Sequence, residues 1–362
     1  MKTLKNLKIC LEDGVLEDGF IVFDEIIREI GIGDPGDGID MNEAILMPGF
    51  IDNHTHGGYG YDFMDMDLSK FKAYIKSLPK EGVTSFYATT MTEDLNLVEN
   101  VNRMLSSIKQ ETTDTELLGI HLEGPFISKA YKGAQREDVI VKPSIKIFER
   151  LNIDNCIKQV TLAPEEDENY MLIQHLHDKQ IVPSIGHTNA SYNETLAAIN
   201  HGASCFTHAF NAMSKLHHRD IGAVGAFLLN DDVYTEIICD KLHVSEPAIQ
   251  LLYKLKPIDK IILITDSMRA KGLKEGVYDL GGQEVHYHNN AARLKDGTLA
   301  GSTLSMIDAV KNFKSVTSCS LTDLAKVASS NIAKMHNIDN QKGIIKEGYD
   351  ADFVILSDEL DI

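Results

Sequence analysis

The chain has 362 residues, 43% apolar and 25% charged, the make-up of an ordinary globular protein of one large domain with room for a small one. With 54 acidic against 35 basic residues its net charge is −19, which argues against a nucleic-acid partner, because an acidic surface repels a phosphate backbone. No run approaches the roughly 20 apolar residues of a membrane span, the opening Met1-Lys2-Thr3-Leu4-Lys5 lacks the apolar stretch of a secretion signal, and the five scattered cysteines show no C-x-x-C spacing, so a cytoplasmic protein with reduced thiols and no membrane partner is expected.

Residues 1–45 are short apolar bursts, at 4–11, 19–23 and 26–30, broken by Gly31, Gly33, Pro35, Gly36 and Gly38. The last stretch, 343–356, has the same texture. Residues 1–45 with 340–362 are therefore expected to form one small β-domain, sandwich-like and built from both termini. Between them, over 46–339, strand and helix patterns alternate. Eight strands are expected near 44–52, 83–91, 117–123, 159–164, 182–187, 205–210, 233–239 and 260–265, with helices at 68–80, 96–109, 170–179 and 191–200 among others. Asp67 and Ser191 stand as N-caps, and Ser191 has Glu194 three residues on, the pattern of a capping box. Eight alternating units predict an α/β fold, a closed (β/α)8 TIM barrel. The other arrangement of such units, a doubly wound open sheet, calls for a glycine-rich phosphate loop after the first strand; a His-x-His pair stands there instead, and no G-x-G-x-x-G occurs. Residues 276–300 are glycine-rich and strand-like, and read as a β-hairpin inserted after the eighth strand.

Barrel chemistry sits at the C-terminal ends of the strands. The first strand ends in His54 and His56, the third in His121-Leu122-Glu123, the fifth in His187, the sixth in His208 and the eighth in Asp266. Residues two apart on a strand share a face, so His54 and His56 can grip one ion. Singly, each has an ordinary explanation as a hydrogen-bonded core histidine or a capping aspartate. Jointly, imidazoles and carboxylates from five strand ends point to a hydrolytic metal site. Such ligands hold a divalent ion with a position left for water, and Asp266 can serve as the base that takes the water's proton and the acid that returns it.

The residues Pro48-Gly49-Phe50-Ile51-Asp52, His121-Leu122-Glu123-Gly124-Pro125-Phe126, Gly186-His187-Thr188-Asn189-Ala190, Thr207-His208-Ala209-Phe210-Asn211-Ala212-Met213, Asp240-Lys241-Leu242-His243-Val244 and Leu299-Ala300-Gly301-Ser302 resemble the amidohydrolase superfamily over residues 48–302. Within it, they are similar to the branch that deacetylates phosphorylated amino sugars. The resemblance implies hydrolysis of N-acetyl-D-glucosamine 6-phosphate to D-glucosamine 6-phosphate and acetate, in amino-sugar catabolism; the N-acetylgalactosamine epimer is the alternative substrate. It implies Glu123, His187 and His208 as metal ligands, His54 and His56 as an additional pair found in some members, and Asp266 as the catalytic acid/base. It assigns Asn211, Ala212, Arg219 and His243 to the sugar phosphate, and Leu299, Ala300 and Gly301 to a substrate-contacting loop. One or two divalent ions per subunit are implied, of zinc, iron, manganese or similar kind. Arg219 would reach the neighbouring subunit's site, implying a homodimer. Gln135 departs from the pattern: some members have a histidine there that polarises the substrate carbonyl. Gln135 donates only a neutral hydrogen bond, which shifts that work toward a second ion at His54 and His56. Many relatives continue past 353–356 with another hairpin, so the small domain is expected to lack that piece.

Two other functions fit these residues less well. A cyclic amidohydrolase of the dihydroorotase kind often uses a carboxylated lysine at the end of strand four, and here that end reads Thr161-Leu162-Ala163-Pro164-Glu165 without one. A catalytically dead binding barrel would have broken ligand positions, and all six are present.

Overall fold

Pro48 and Gly49 divide the molecule. In the computed structural model, which describes residues 1–109 and 115–362, the stretch expected as the first barrel strand is two strands. Ile39–Pro48 belongs to the terminal sheet and Phe50–Thr55 to the barrel. The break has a local cause. Pro48 has no N–H to give a ladder, and Gly49 passes so close to the second barrel strand that a Cβ there would lie 2.2 Å from Thr84 Oγ1. The terminal sheet has five strands, with Phe353–Leu356 against Ile39–Pro48, then Lys2–Cys10, Val15–Phe23 and Ile27–Ile32. Leu4, Leu7, Ile9, Ile21, Leu46 and Ile345 fill its separate core.

The barrel is an eight-stranded parallel sheet in strict chain order: Phe50–Thr55, Val83–Thr90, Glu116–Glu123, Ile157–Leu162, Val182–Ile185, Cys205–Phe206, Tyr234–Ile238 and Ile261–Ile264. Sequential order with helices between is that of a TIM barrel and not of a doubly wound sheet, whose order reverses. The strands are shorter than expected at several C-terminal ends, most of all the sixth. There the chain leaves the ladder to present functional side chains: His187, His208 and Asp266 have φ of +48°, +31° and +48°. Left-handed backbone at non-glycine residues costs energy and gathers at functional sites.

The helices follow their sequence signals. Asp67 caps Leu68–Ser77 by accepting from the N–H of Ser69 and Lys70. Ser191 and Glu194 form the complete capping box of Tyr192–Asn200. Where the first and eighth strands meet, closure is concentrated at the rim. Asp266 N–H donates to His54 O at 2.8 Å and His56 N–H to Ser267 O at 2.8 Å. Below, Asp52 accepts from the Thr265 hydroxyl at 2.6 Å and from its N–H at 3.2 Å. The seam that closes the barrel thus sets Asp266 beside His54 and His56. At the base, Ser329 donates to Gly49 O at 2.7 Å and the Asn331 amide to the carbonyls of Ile258 and Ile261. The segment expected as a hairpin forms three antiparallel strands, Gly276–Leu280, Gln283–His288 and Ala291–Arg293.

Candidate metal centre and its cavity

Six buried side chains from five strand ends meet at one point. Glu123 Oε1 lies 3.2 Å from His187 Nε2 and 3.1 Å from His208 Nε2, and those two nitrogens are 3.0 Å apart. On the other side, His56 Nε2 lies 3.3 Å from Glu123 Oε2 and 3.3 Å from Asp266 Oδ1. His54 Nε2 stands 3.5 Å from both Glu123 Oε1 and Asp266 Oδ1. Ligand atoms about 2.0–2.1 Å from one tetrahedral ion stand roughly 3.4 Å from each other. Two trios match that spacing: Glu123, His187 and His208, and His54, His56 and Asp266.

The tautomers sharpen the fit. His187 Nδ1 faces the carbonyl of Tyr131 at 2.9 Å, His56 Nδ1 that of Thr89 at 3.2 Å, and His54 Nδ1 the carboxylate of Glu236 at 3.2 Å. Each partner only accepts, so each Nδ1 carries the proton and each Nε2 turns a lone pair inward. His54 Nε2 is buried and has no hydrogen-bond partner among the described residues. Lone pairs and carboxylate oxygens converging among buried side chains call for a positive charge between them. The titration directions agree. Burial pulls the His208 imidazole down, but the Glu123 carboxylate outweighs it and raises the pKa to about 9. Burial likewise opposes charge on His56, yet Asp266 and Glu123 push it well above the ordinary range. The donor set fits a divalent ion of the zinc, iron or manganese kind.

This centre floors a cavity of about 550 Å³, within the range of small-molecule sites. The three-stranded insertion contributes Leu280 to its wall and is fastened to the opposite loop by a Gln283 hydrogen bond to the Ala134 carbonyl.

Between residues 45 and 361 the chain matches the model of the amidohydrolase family. The chain belongs to that family. Amidohydrolases are generally metal-dependent hydrolases, and this chain has candidate metal-binding groups in its barrel. The chain is 40% identical to an N-acetylglucosamine-6-phosphate deacetylase of Bacillus subtilis (strain 168), covering 99% of this chain and 94% of that protein. It is 43% identical to a deacetylase of the same name from Lysinibacillus sphaericus, covering 89% of this chain and 85% of that one. An N-acetylgalactosamine-6-phosphate deacetylase of Escherichia coli O157:H7 is 32% identical over 99% of this chain and 96% of its own. The crystal structure of an N-acetylglucosamine-6-phosphate deacetylase from Thermotoga maritima superposes with a TM-score of 0.91 at 40% identity, covering 99% of this chain and 96% of that one.

Within this amidohydrolase, the residues expected to hold substrate are distributed unevenly. Gln135, Asn211, Ala212, His243, Leu299 and Gly301 line the cavity. Ala300 does not; it is buried behind the wall with Met268, Val285 and Ala292, its N–H given to Ala292 O. Arg219 does not line it either. Its guanidinium donates to His218 Nε2 at 2.7 Å and faces a separate surface hollow beside Ser191 and Tyr192. Gln135 has its amide N–H on Glu123 Oε2 at 2.6 Å, while its oxygen accepts from Thr92 N–H at 2.8 Å. In this arrangement it steadies a ligand carboxylate. Asn211 and Ala212, assigned to the sugar phosphate, could serve it through their backbone N–H groups. Asn211 N–H closes onto His208 O at 3.1 Å, which leaves that of Ala212, with φ +47°, without a partner among the described residues. His243 is held by Asp240, whose carboxylate is 2.6 Å from Nδ1. Burial pushes that carboxyl up, but the bond from His243 keeps it below its ordinary value.

Sequence reasoning missed Glu236, Asn53 and Gln159, a fully buried polar group beneath the centre, and Lys215, the one Lys or Arg among the described residues that lines the cavity. Glu236 left a readable signal: a carboxylate directly before the apolar Ile237-Ile238-Cys239 of an expected strand, where ionisable residues almost never sit buried without a task. Lys215 left none, being one lysine in a polar loop.

Proposed function

We propose that the chain removes the acetyl group from N-acetyl-D-glucosamine 6-phosphate, giving D-glucosamine 6-phosphate and acetate. One observation carries this reading: Asp266 Oδ1 stands 3.3 Å from His56 Nε2 beside the Glu123–His187–His208 trio, at the floor of a cavity whose wall also holds the imidazole of His243 and the ammonium of Lys215. A hydrolytic centre and an anion anchor in one cavity suit a phosphorylated amide. The names of the most similar relatives supply the sugar.

Glu123, His187 and His208 would hold one divalent ion and His54 with His56 a second. Bound there, such ions supply Lewis acidity, polarising an amide carbonyl and acidifying water toward neutral pKa. The residues do the rest. Asp266 accepts the proton of the attacking water as its oxygen bonds to the amide carbon. The carbon–nitrogen bond then breaks and Asp266 returns that proton to the departing amine. His243, fixed by Asp240 through Nδ1, presents Nε2 to the phosphate. The free N–H of Ala212 and the Lys215 ammonium complete that anchor. Leu280 and the insertion exclude bulk water. We place Arg219 in the neighbouring site of a homodimer, because it faces away from its own. We also place the protein in the cytoplasm, where its five buried, free cysteines stay reduced.

The epimeric substrate has one specific support, the galactosamine-named relative matched along nearly the whole chain. The test is acetate release from both 6-phosphosugars by protein of measured metal content. The glucosamine epimer is expected to give the higher kcat/KM, and both should far exceed their unphosphorylated sugars. Equal turnover with and without the phosphate would overturn the reading.

A further inference from the structure

Beneath the metal centre the barrel interior is polar, and the polarity converges on Glu236. Its carboxylate is fully buried and has four donors. Oε1 accepts from Asn53 Nδ2 at 2.6 Å and Gln159 Nε2 at 2.7 Å. Oε2 accepts from His54 Nδ1 at 3.2 Å and from the backbone N–H of His208 at 3.3 Å. Asn53 is anchored from the other side, its Oδ1 accepting from His336 Nε2 at 2.7 Å. The His336 ring is stacked on Tyr87 with centroids 4.1 Å apart. The relay thus runs from the C-terminal helices through the first, fourth and seventh strands to the back of His54.

Two features show that this group is built around His54. Asn53 and His54 are consecutive, yet both reach Glu236, which strict strand alternation forbids. The pairing of the first strand with the second slips between Asp52 and Thr55, and that irregularity turns both side chains the same way. Second, among the described residues no lysine or arginine pairs with Glu236; its donors there are neutral groups and one imidazole. A buried carboxylate without a cation is costly to fold. A positive charge on the far side of His54 repays that cost, and His54 Nε2 is the orphaned atom pointing to it.

We propose that Glu236 is the positioning residue of the His54–His56 metal position: it fixes His54 as the Nδ1–H tautomer and aims Nε2 at the ion. Glu236 touches the neighbouring trio only through the backbone N–H of His208, at 3.3 Å, and not through a ring nitrogen; the His187 ring is fixed instead by the Tyr131 carbonyl. The inference rests on the two-ion reading given above. Loss of such a partner behind a ligating histidine typically weakens metal binding about 10–100-fold.

The test is zinc titration by calorimetry on metal-stripped wild type and Glu236→Gln, with melting curves to verify folding. A glutamine offers one acceptor oxygen to four donors, so its amide must face at least one of them. Wild type should bind two zinc ions per chain. The variant should keep one with unchanged affinity and hold the other about 10–100-fold more weakly. Two unchanged sites in the variant would overturn the positioning role and leave the two-ion reading standing. A single zinc in wild type would overturn that reading and this inference with it. A second measurement needs no variant at the relay. Long-range ¹⁵N–¹H spectra of zinc-loaded, histidine-labelled wild type, with His54 assigned by the loss of its signals in His54→Gln, should show a proton on Nδ1. A proton on Nε2 would refute the proposal whatever the fate of Glu236→Gln.

Discussion

Asp266 combines three properties at one position: it ends the eighth strand at φ +48°, its backbone is pinned on both sides by His54 O and Ser302 N–H, and Oδ1 faces both imidazoles of the His-x-His pair. Its carboxyl is pulled two ways: burial drives it up, and the His54, His56 and His208 imidazoles hold it down at about 2. Asp266→Asn keeps the shape and removes the carboxylate proposed as the base. It should retain the ion of the Glu123–His187–His208 trio and lose at least about 10²–10⁴-fold in kcat; metal analysis beside acetate release checks both halves. His54→Gln with His56→Gln should also keep one metal equivalent and suffer a large loss of kcat, since Gln135 is committed to Glu123 and Thr92. Full activity at one equivalent would show the pair to be dispensable. The six ring residues were legible in sequence because strand ends are where a barrel keeps its chemistry. Glu236 is hidden in sequence because it stands inside a strand and not at a strand end, where its only mark is a charge within a buried run. Ala300 was carried over on resemblance, and only packing shows that its methyl group serves the core behind the wall.

At the scale of elements, the barrel was legible because apolar runs and helical periods alternate over most of the chain. Its strand ends were not, since a strand stops where the chain must turn a ligand inward, and that demand comes from the site. The domain boundary was expected close by, at 45/46, but the break of strand 44–52 at Pro48-Gly49 was not legible, because the close approach of Thr84 exists only in the folded sheet. One connection between elements invites measurement. Lys271 Nζ lies 3.0 Å from Glu81 Oε1, both side chains almost fully buried. Glu81 also accepts from the Tyr59 hydroxyl at 2.6 Å and from Met306 N–H at 3.0 Å. This clamp ties the 3-10 turn Leu78–Glu81 to the segment after the eighth strand and to the start of helix Met306–Thr317. Removing one partner leaves a charge buried and alone, so Glu81→Ala should lower stability by about 3–5 kcal/mol. Urea unfolding is the check, and a change under about 1 kcal/mol would show that the clamp is not a mainstay of the fold. Glu81→Gln should cost less, since an amide oxygen still accepts from Tyr59 or Met306.

For the whole molecule the question is which chain completes which site. In its own chain Arg219 stands beside His217 and His218 on an exposed loop, outside the cavity that holds Asp266, while Lys215, four residues earlier, lines it. A guanidinium is the better phosphate ligand, because its fork binds two oxygens at once. If Arg219 serves a neighbour, the defect of Arg219→Ala must appear in the partner's site, and mixing subunits reads this directly. The Arg219→Ala homodimer should keep its chemistry and show a raised KM for the 6-phosphosugar. The Asp266→Asn homodimer should be inactive. In a heterodimer of the two, one site combines the intact Asp266 of the first chain with the intact Arg219 of the second. That site should regain the wild-type KM and supply up to about half of wild-type kcat per dimer, by simple counting of one working site in two. If Arg219 served its own chain, the only site with Asp266 would still lack the arginine, and mixing would leave KM raised. Sedimentation of the wild type gives the independent control, since a monomer at assay concentrations would remove the partner altogether.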